Sequence, residues 1–178
     1  MTREPQTFGM NSGGASRFLF SPYSGVVSWA LTLAWAILIF YFSTSRFGPD
    51  FSHSLLSRVL NFLQLSVSSR TFSILSARLR KAAHVIEYGI LAVSLYGACG
   101  DREPFCWRLR RALRCVFIAA AYSLTDEFHQ AFATGRTASL ADCGIDTTGA
   151  AIGVALLYLS QQTLGRLAKA LRAWGGAR

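Results

Sequence analysis

Ionisable and polar side chains recur in three apolar stretches of this chain, close to one end of each stretch. A charged side chain within a membrane-spanning helix costs roughly 2.5–3.5 kcal/mol, so such residues need partners and commonly belong to functional sites. Within each stretch their three- and four-residue spacing favours a shared or overlapping helical face. The set comprises Lys81, His84 and Tyr88 in the first stretch, Asp126, Glu127 and Gln130 in the second, and Asp142 and Asp146 in the third.

These residue types suit acid–base chemistry on an anionic ligand. His84 can move a proton near neutral pH, and Asp126 or Glu127 would orient it or act as the base. Lys81 and Arg136 would hold an anionic group such as a phosphate. The predicted catalytic residues are therefore His84, Asp126 and Glu127. The predicted substrate-binding residues are Lys81, Tyr88, Gln130, Arg136, Asp142 and Asp146.

A metal site is a further option in the same region. His84, Glu87, Asp126 and Glu127 offer nitrogen and oxygen ligands, but they carry no recognised metal-binding signature. We therefore predict no metal site and leave the cofactor unknown.

Several of these side chains also have structural interpretations. Lys81 could extend to lipid headgroups, and Arg136 could be an ordinary loop charge. Asp142 could cap or neutralise the start of a helix. His84 could be a structural histidine paired with a carboxylate.

The elements that must position these residues are apolar helices. Hydrophobic residues make up 52% of the 178 residues and charged residues 15%, against about 25% charged residues in a typical soluble domain. Residues 26–42 contain no charge and, with the residues just before them, approach the roughly 20 that cross a bilayer. No A-x-A cleavage site follows, so this run predicts an uncleaved signal anchor.

The pattern predicts an all-α integral membrane bundle of about four transmembrane helices, with an amphipathic helix between the first and the second. The four predicted helices cover residues 22–42, 82–99, 112–132 and 140–159, and the amphipathic helix covers 52–66. The predicted organisation is a disordered segment over 1–21, a transmembrane domain over 22–160 and a basic cytoplasmic tail over 161–178.

The net charge of +9 comes from basic residues near the ends of the apolar segments. There they anchor helices at lipid headgroups and set topology, which explains them better than nucleic-acid binding. We therefore predict membrane lipid as a partner and no nucleic acid. With a cytoplasmic N-terminus, the inner segments hold 11 of the 18 Lys and Arg residues, and the polar residues of all three stretches meet near the outer face.

Four blocks together resemble the VanZ-like family of small bacterial membrane proteins. They are FSTS at residues 42–45, KAAHVIEYGIL at 81–91, SLTDEFHQ at 123–130 and GRTASLADCGIDTTG at 135–149. The last three are similar to the family patterns K-x-x-H-x-x-x-Y, D-E-x-x-Q and R-x-x-S-x-x-D. Two positions depart from the family: Arg80 stands where an acidic residue often precedes the lysine, and Asp146 replaces the usual Asn.

The resemblance implies a multi-pass protein of the bacterial inner membrane and cell envelope, and a link to low-level resistance to the glycopeptide antibiotic teicoplanin. It implies no particular reaction, so whether the protein is an enzyme stays open. The first hypothesis is an enzyme acting on a lipid-linked or phosphorylated envelope precursor. The second is a non-enzymatic binding protein or small transporter. The third is a cluster of ion pairs that holds the helices together without a ligand.

Overall fold

The computed structural model describes residues 22–100, 107–132 and 139–175. Within these ranges the chain forms five α-helices and one short 3-10 turn, with no strand. The all-α prediction is confirmed, whereas the segment 1–21 predicted to be disordered lies outside the described residues. The helices are α1 (Pro22–Phe42), α2 (Pro49–Phe62), α3 (Ser69–Ala98), α4 (Leu109–Gln130) and α5 (Leu140–Gly175), and the turn is Ser45–Phe47.

Two helical stretches are long and apolar enough to cross a membrane, by length and composition alone. They are Gly25–Phe42 within α1 and Leu140–Gly175, which is α5. With 30 and 22 residues, α3 and α4 are long enough to cross a hydrocarbon core of about 30 Å. Their charged residues, however, make them too polar for the same criterion. The prediction of about four transmembrane helices is therefore not established and remains a proposal.

Two helix boundaries differ from those expected from the sequence. α3 begins at Ser69 rather than near residue 82, because Ser68 Oγ accepts a hydrogen bond of 3.2 Å from the backbone N–H of Thr71 and caps the helix. α5 continues to Gly175 rather than ending near residue 159. No proline interrupts this region, and most of its residues are good helix formers.

α3 is the central helix of the bundle and contacts each of the other four. The core lies along its second half, where Tyr88, Leu91, Ala92 and Leu95 pack against small residues of α4 and α5. Two hydrogen bonds attach α1 to this core. Trp35 Nε1 donates to the carbonyl of Glu87 at 2.9 Å, and Tyr122 Oη donates to the carbonyl of Ala36 at 2.7 Å.

Candidate functional site

The predicted site residues that the structure describes lie at the end of the bundle where α1 and α4 end and α5 begins. α3 reaches this end with its first half. α2 also lies there, because Phe47 in the connecting turn makes edge-on ring contacts with Phe42 and Phe51, each with ring centroids 5.0 Å apart. The ends of α1, α3, α4 and α5, together with α2, therefore surround one small volume.

A close approach between α3 and α5 determines the width of this volume. A Cβ atom added to Gly149 would lie 2.5 Å from the carbonyl oxygen of Val85, and one added to Gly153 would lie 2.5 Å from that of Gly89. Both distances are shorter than real Cβ contacts, so the two backbones touch where only glycine fits. This is the close packing that a small-x-x-x-small pattern produces between helices.

One turn from this contact, His84 meets Asp146. Nδ1 of His84 lies 3.2 Å from Oδ1 of Asp146, whose side chain is fully buried while that of His84 is 17% exposed. The other carboxylate oxygen, Oδ2, accepts a hydrogen bond of 2.6 Å from the buried hydroxyl of Ser123 on α4. Asp146 therefore bridges α3 and α4, and it leaves Nε2 as the ring nitrogen of His84 that can meet a ligand.

The partner of His84 is a correction to the sequence-based expectation. Asp126 or Glu127 was expected to orient the imidazole, but Asp146 makes the close contact. The resemblance implies Asn at this position, and Asp146 instead places a carboxyl group beside the histidine. Ser123 lies in a recognised block but was not predicted as a site residue.

Asp126 is buried next to this pair and faces a cavity. Its Oδ2 accepts a hydrogen bond of 3.1 Å from Gln130 Nε2, one turn along α4. Its Oδ1 is buried and has no hydrogen-bond partner within the described part of the chain, and the same holds for the hydroxyl groups of Ser43 and Tyr88. Buried polar atoms normally have partners, so these atoms suggest a site that water or a ligand completes.

Glu127 has a different environment from Asp126. Its Oε2 accepts a hydrogen bond of 2.7 Å from the backbone N–H of Ser139, just before α5. Ser139 Oγ in turn accepts from the N–H of Ala141 at 3.2 Å. Glu127 thus connects the end of α4 to the start of α5, and the half-buried Asp142 stands in the first turn of α5. The other oxygen of Glu127, Oε1, is buried without a hydrogen-bond partner in the described part of the chain, so the predicted catalytic role of Glu127 stays a prediction.

Two of the predicted substrate-binding residues, Lys81 and Tyr88, do not line the cavity beside His84. Lys81 is exposed, and Tyr88 is fully buried in the core. Arg136 lies outside the described residues, so its predicted role stays a prediction. His129, which the sequence predicted to face away from the polar cluster, packs against Phe40 with ring centroids 4.3 Å apart.

A cavity of about 330 Å³ opens between α1, α2 and α3 beside His84 and Asp126. Most of its wall is apolar, and its polar side chains gather on the side of α3 and α4. Arg80 is among the lining residues, although the sequence favoured Lys81 as the cation of the site. The lining residues are Ile39, Phe42, Ser43, Phe47, Phe51, Ser52, Leu55, Leu79, Arg80, Ala83, His84, Glu87 and Asp126.

No three His, Cys, Asp or Glu side chains converge as potential metal ligands within residues 22–100, 107–132 and 139–175. His84 and Asp146 lie at ion-pair distance, and an imidazole beside a carboxyl group is a common arrangement for proton transfer. The cofactor remains unknown.

These features define a class: an all-α bundle with a histidine beside a buried aspartate and further carboxyl groups at one end, next to a largely apolar cavity. The VanZ/LLP1 family model matches residues 28–161, which are 134 of the 178 residues. The chain belongs to the VanZ/LLP1 family, and the resemblance identified in the sequence is confirmed. Comparison with curated proteins found no match, and comparison with solved structures found none either.

Proposed function

We propose that this protein is a multi-pass protein of the bacterial inner membrane that binds an anionic, lipid-linked envelope precursor in the cavity beside His84. The observation that carries the proposal is the continuity between an apolar cavity wall and a polar cluster of Arg80, His84 and Asp126. A molecule with a hydrocarbon chain and a charged head matches both parts. An ordinary core would not leave such a cavity beside buried carboxyl groups.

The surface of the bundle supports membrane insertion. Large apolar side chains are exposed along α1 and α4, for example Ile37 at 69%, Phe117 at 75% and Phe128 at 69%. Water-soluble monomers rarely expose contiguous apolar surface on this scale. Lipid would cover these faces, while the cavity near the end of α1 stays close to the headgroup layer.

Within the cavity, the proposed roles follow from position. Arg80 would bind the anionic head, because a guanidinium group pairs well with phosphate oxygens. His84 would accept or donate a proton through Nε2, with Asp146 as a positioning residue that orients the ring through Nδ1. Asp126, with one unpartnered carboxyl oxygen, would contact the ligand or a water molecule held beside it.

The alternative function is binding or transport without a reaction, and it uses the same cavity. Binding alone needs Arg80 and the apolar wall, whereas a reaction also needs His84. Envelope location and a role in teicoplanin resistance rest on the family resemblance. They would be tested by comparing the antibiotic susceptibility of a deletion strain complemented with wild type or with Asp126→Ala.

The binding test uses the purified full chain in nanodiscs and three probes: a polyprenyl phosphate, the uncharged polyprenol and inorganic phosphate. We expect the polyprenyl phosphate to bind at least about tenfold more tightly than either partial probe, since both the chain and the charge contribute. Arg80→Gln should weaken that binding by about tenfold, the effect of losing one charge-assisted hydrogen bond.

Arg78→Gln is the matched control, because Arg78 is exposed on the same helix and does not line the cavity. Equal affinities for Arg80→Gln and Arg78→Gln, or equal affinities for the three probes, would contradict the proposed site. If a precursor is turned over, His84→Ala should abolish turnover while binding persists. Turnover that is unchanged in His84→Ala would exclude the acid–base role.

A further inference from the structure

The last 15 described residues extend beyond the helical bundle. α5 is 36 residues long, or about 54 Å at 1.5 Å per residue. Every residue from 162 to 175 is exposed. We call residues 161–175 the C-terminal segment.

The C-terminal segment has two chemically distinct faces. Leu164, Leu167 and Leu171 recur at three- and four-residue spacing and share one face, and their exposed fractions are 54%, 54% and 60%. The basic residues, Arg166, Lys169 and Arg172, recur every three residues on the opposite face. A leucine face opposite a face of lysine and arginine is the pattern of helices that lie in a membrane interface.

The segment starts at the end of the bundle opposite the candidate site. Tyr158, less than one turn before the segment, contacts the ring of Trp107 with centroids 5.0 Å apart. Trp107 directly precedes the four arginines that line a separate cavity of about 620 Å³, namely Arg108, Arg110, Arg111 and Arg114. The arginines at the start of α4 and the basic residues of the C-terminal segment of α5 therefore lie at the same end of the molecule.

The charges distinguish between two possible occupants of the leucine face. The chain has no Asp or Glu after Asp146, so a second copy paired through the leucine face would cover the leucines but leave all six cations on the outer sides without a carboxylate partner. An anionic lipid surface attracts the same cations and covers the leucines. Gly165 and the last residue, Gly175, are the poorest helix formers in the segment, so a bend toward the surface would cost least at Gly165.

We propose that the C-terminal segment docks on the surface of a membrane that contains anionic phospholipid, beside the arginines of α4. The leucine face enters the interface, and Arg166, Lys169 and Arg172 stay among the headgroups. This inference rests on membrane insertion as proposed above and is independent of the ligand in the His84 cavity.

The test measures tryptic cleavage after Arg166, Lys169 and Arg172 in the full chain, inserted in nanodiscs of phosphatidylcholine alone or mixed with phosphatidylglycerol. We expect cleavage to be at least about tenfold slower in the anionic discs, since each cation is attracted to such a surface. Added salt should restore fast cleavage, because it screens this attraction.

Two variants separate docking from simple electrostatic inhibition of the protease. Leu167→Gln combined with Leu171→Gln keeps all three cleavage sites but removes the apolar face, so protection should be lost. Ala173→Gln is the matched control on the basic side, and it should remain protected. Loss of protection in Ala173→Gln alone would overturn the assignment of the docking face.

Equal cleavage of the inserted protein in both kinds of disc would overturn this inference alone. The segment could instead be protected from trypsin regardless of lipid charge, with the protection lost in discs that hold one copy of the chain. That result would overturn the inference and show that a second copy covers the leucine face. A chain that fails to insert into discs would contradict the membrane proposal and this inference together.

Discussion

At the scale of single residues, Asp146 is the side chain on which the candidate site depends most. It is fully buried, and its two oxygens lie near groups from two other helices, His84 on α3 and Ser123 on α4. Removing one member of a buried polar network leaves its partner buried without a hydrogen bond, which costs free energy. Asp146 therefore couples the orientation of His84 to the packing of three helices, which makes stability and function hard to separate at Asp146 itself.

Ser123→Ala tests this network with the smallest change. It removes the 2.6 Å hydrogen bond to Asp146, and we expect the free energy of unfolding to fall by about 1.5–3 kcal/mol, as for a lost hydrogen bond to a charged group. The measurement is unfolding in mixed detergent micelles, followed by circular dichroism.

The matched control is Thr125→Ala, two residues further along α4. The Thr125 hydroxyl is exposed and bonds only to the backbone of its own helix, so its loss should change stability by less than about 0.5 kcal/mol. If the two variants unfold alike, the Ser123–Asp146 bond does not support the site.

At the scale of elements, the pairing of α3 with α5 positions the histidine and the aspartate. Gly149 and Gly153 let the two backbones touch at Val85 and Gly89. A turn away, that spacing leaves 3.2 Å between His84 and Asp146. Side chains at the glycine positions would push the helices apart and lengthen this contact, even though neither glycine belongs to the polar cluster.

Gly153→Ala should therefore destabilise the bundle by about 1–3 kcal/mol, the usual cost of overpacking. The added methyl group would meet the backbone of Gly89, which cannot rotate away as a side chain could. The free energy of unfolding and the affinity for the polyprenyl phosphate should both fall.

Gly144→Ala serves as the control for this substitution. A Cβ at Gly144 would meet no atom within 4 Å, so alanine should leave stability unchanged or raise it by up to about 1 kcal/mol through helix propensity. A Gly153→Ala variant as stable as wild type would contradict the prediction, because it would show that the α3–α5 interface can accommodate a methyl group at this position.

At the scale of the whole molecule, the two ends of the bundle differ in charge. Asp126, Glu127 and Asp146 are buried around the candidate site, whereas the arginines of α4 and the basic face of the C-terminal segment lie at the other end. Basic residues of membrane proteins favour the cytoplasmic side. The segments proposed to be cytoplasmic hold 11 of the 18 Lys and Arg residues, against six between residues 43 and 81 at the His84 end. The proposed orientation therefore places the arginines inside and the His84 cavity toward the outer face.

Cysteine accessibility in intact cells tests this orientation. Cys99 is exposed at the arginine end of the bundle, so a membrane-impermeant maleimide should not label it in wild type until the cells are permeabilised. Ser54→Cys, at an exposed position of α2, should be labelled in intact cells. Labelling of Cys99 in intact wild-type cells, together with protection of Ser54→Cys, would reverse the proposed topology.

The sequence by itself determined that the chain is helical and which polar residues share a helical face, although it misplaced the start of α3 and the end of α5. Residues 22–42 were predicted as a helix, and α1 covers them. The Gly149-x-x-x-Gly153 spacing is typical of closely packed helices, and both glycines are in contact with α3. The motif blocks identified the family. Helical periodicity, apolar run length and local motifs are all properties of contiguous residues, so they can be read without knowing the packing.

Only the tertiary structure decided which polar groups meet. The order and length of the helices place Asp126, Glu127 and Asp146 at about the same level of the bundle as His84. Which of them contacts the histidine depends on how far each helix is rotated about its own axis. The packing of α5 on α3 selects Asp146, and Glu127 turns instead to the backbone of Ser139. Likewise Arg80, rather than Lys81, lines the cavity. Neighbouring positions on a helix differ by about 100° in direction, so contacts with α1 and α2 decide which of them faces the cavity.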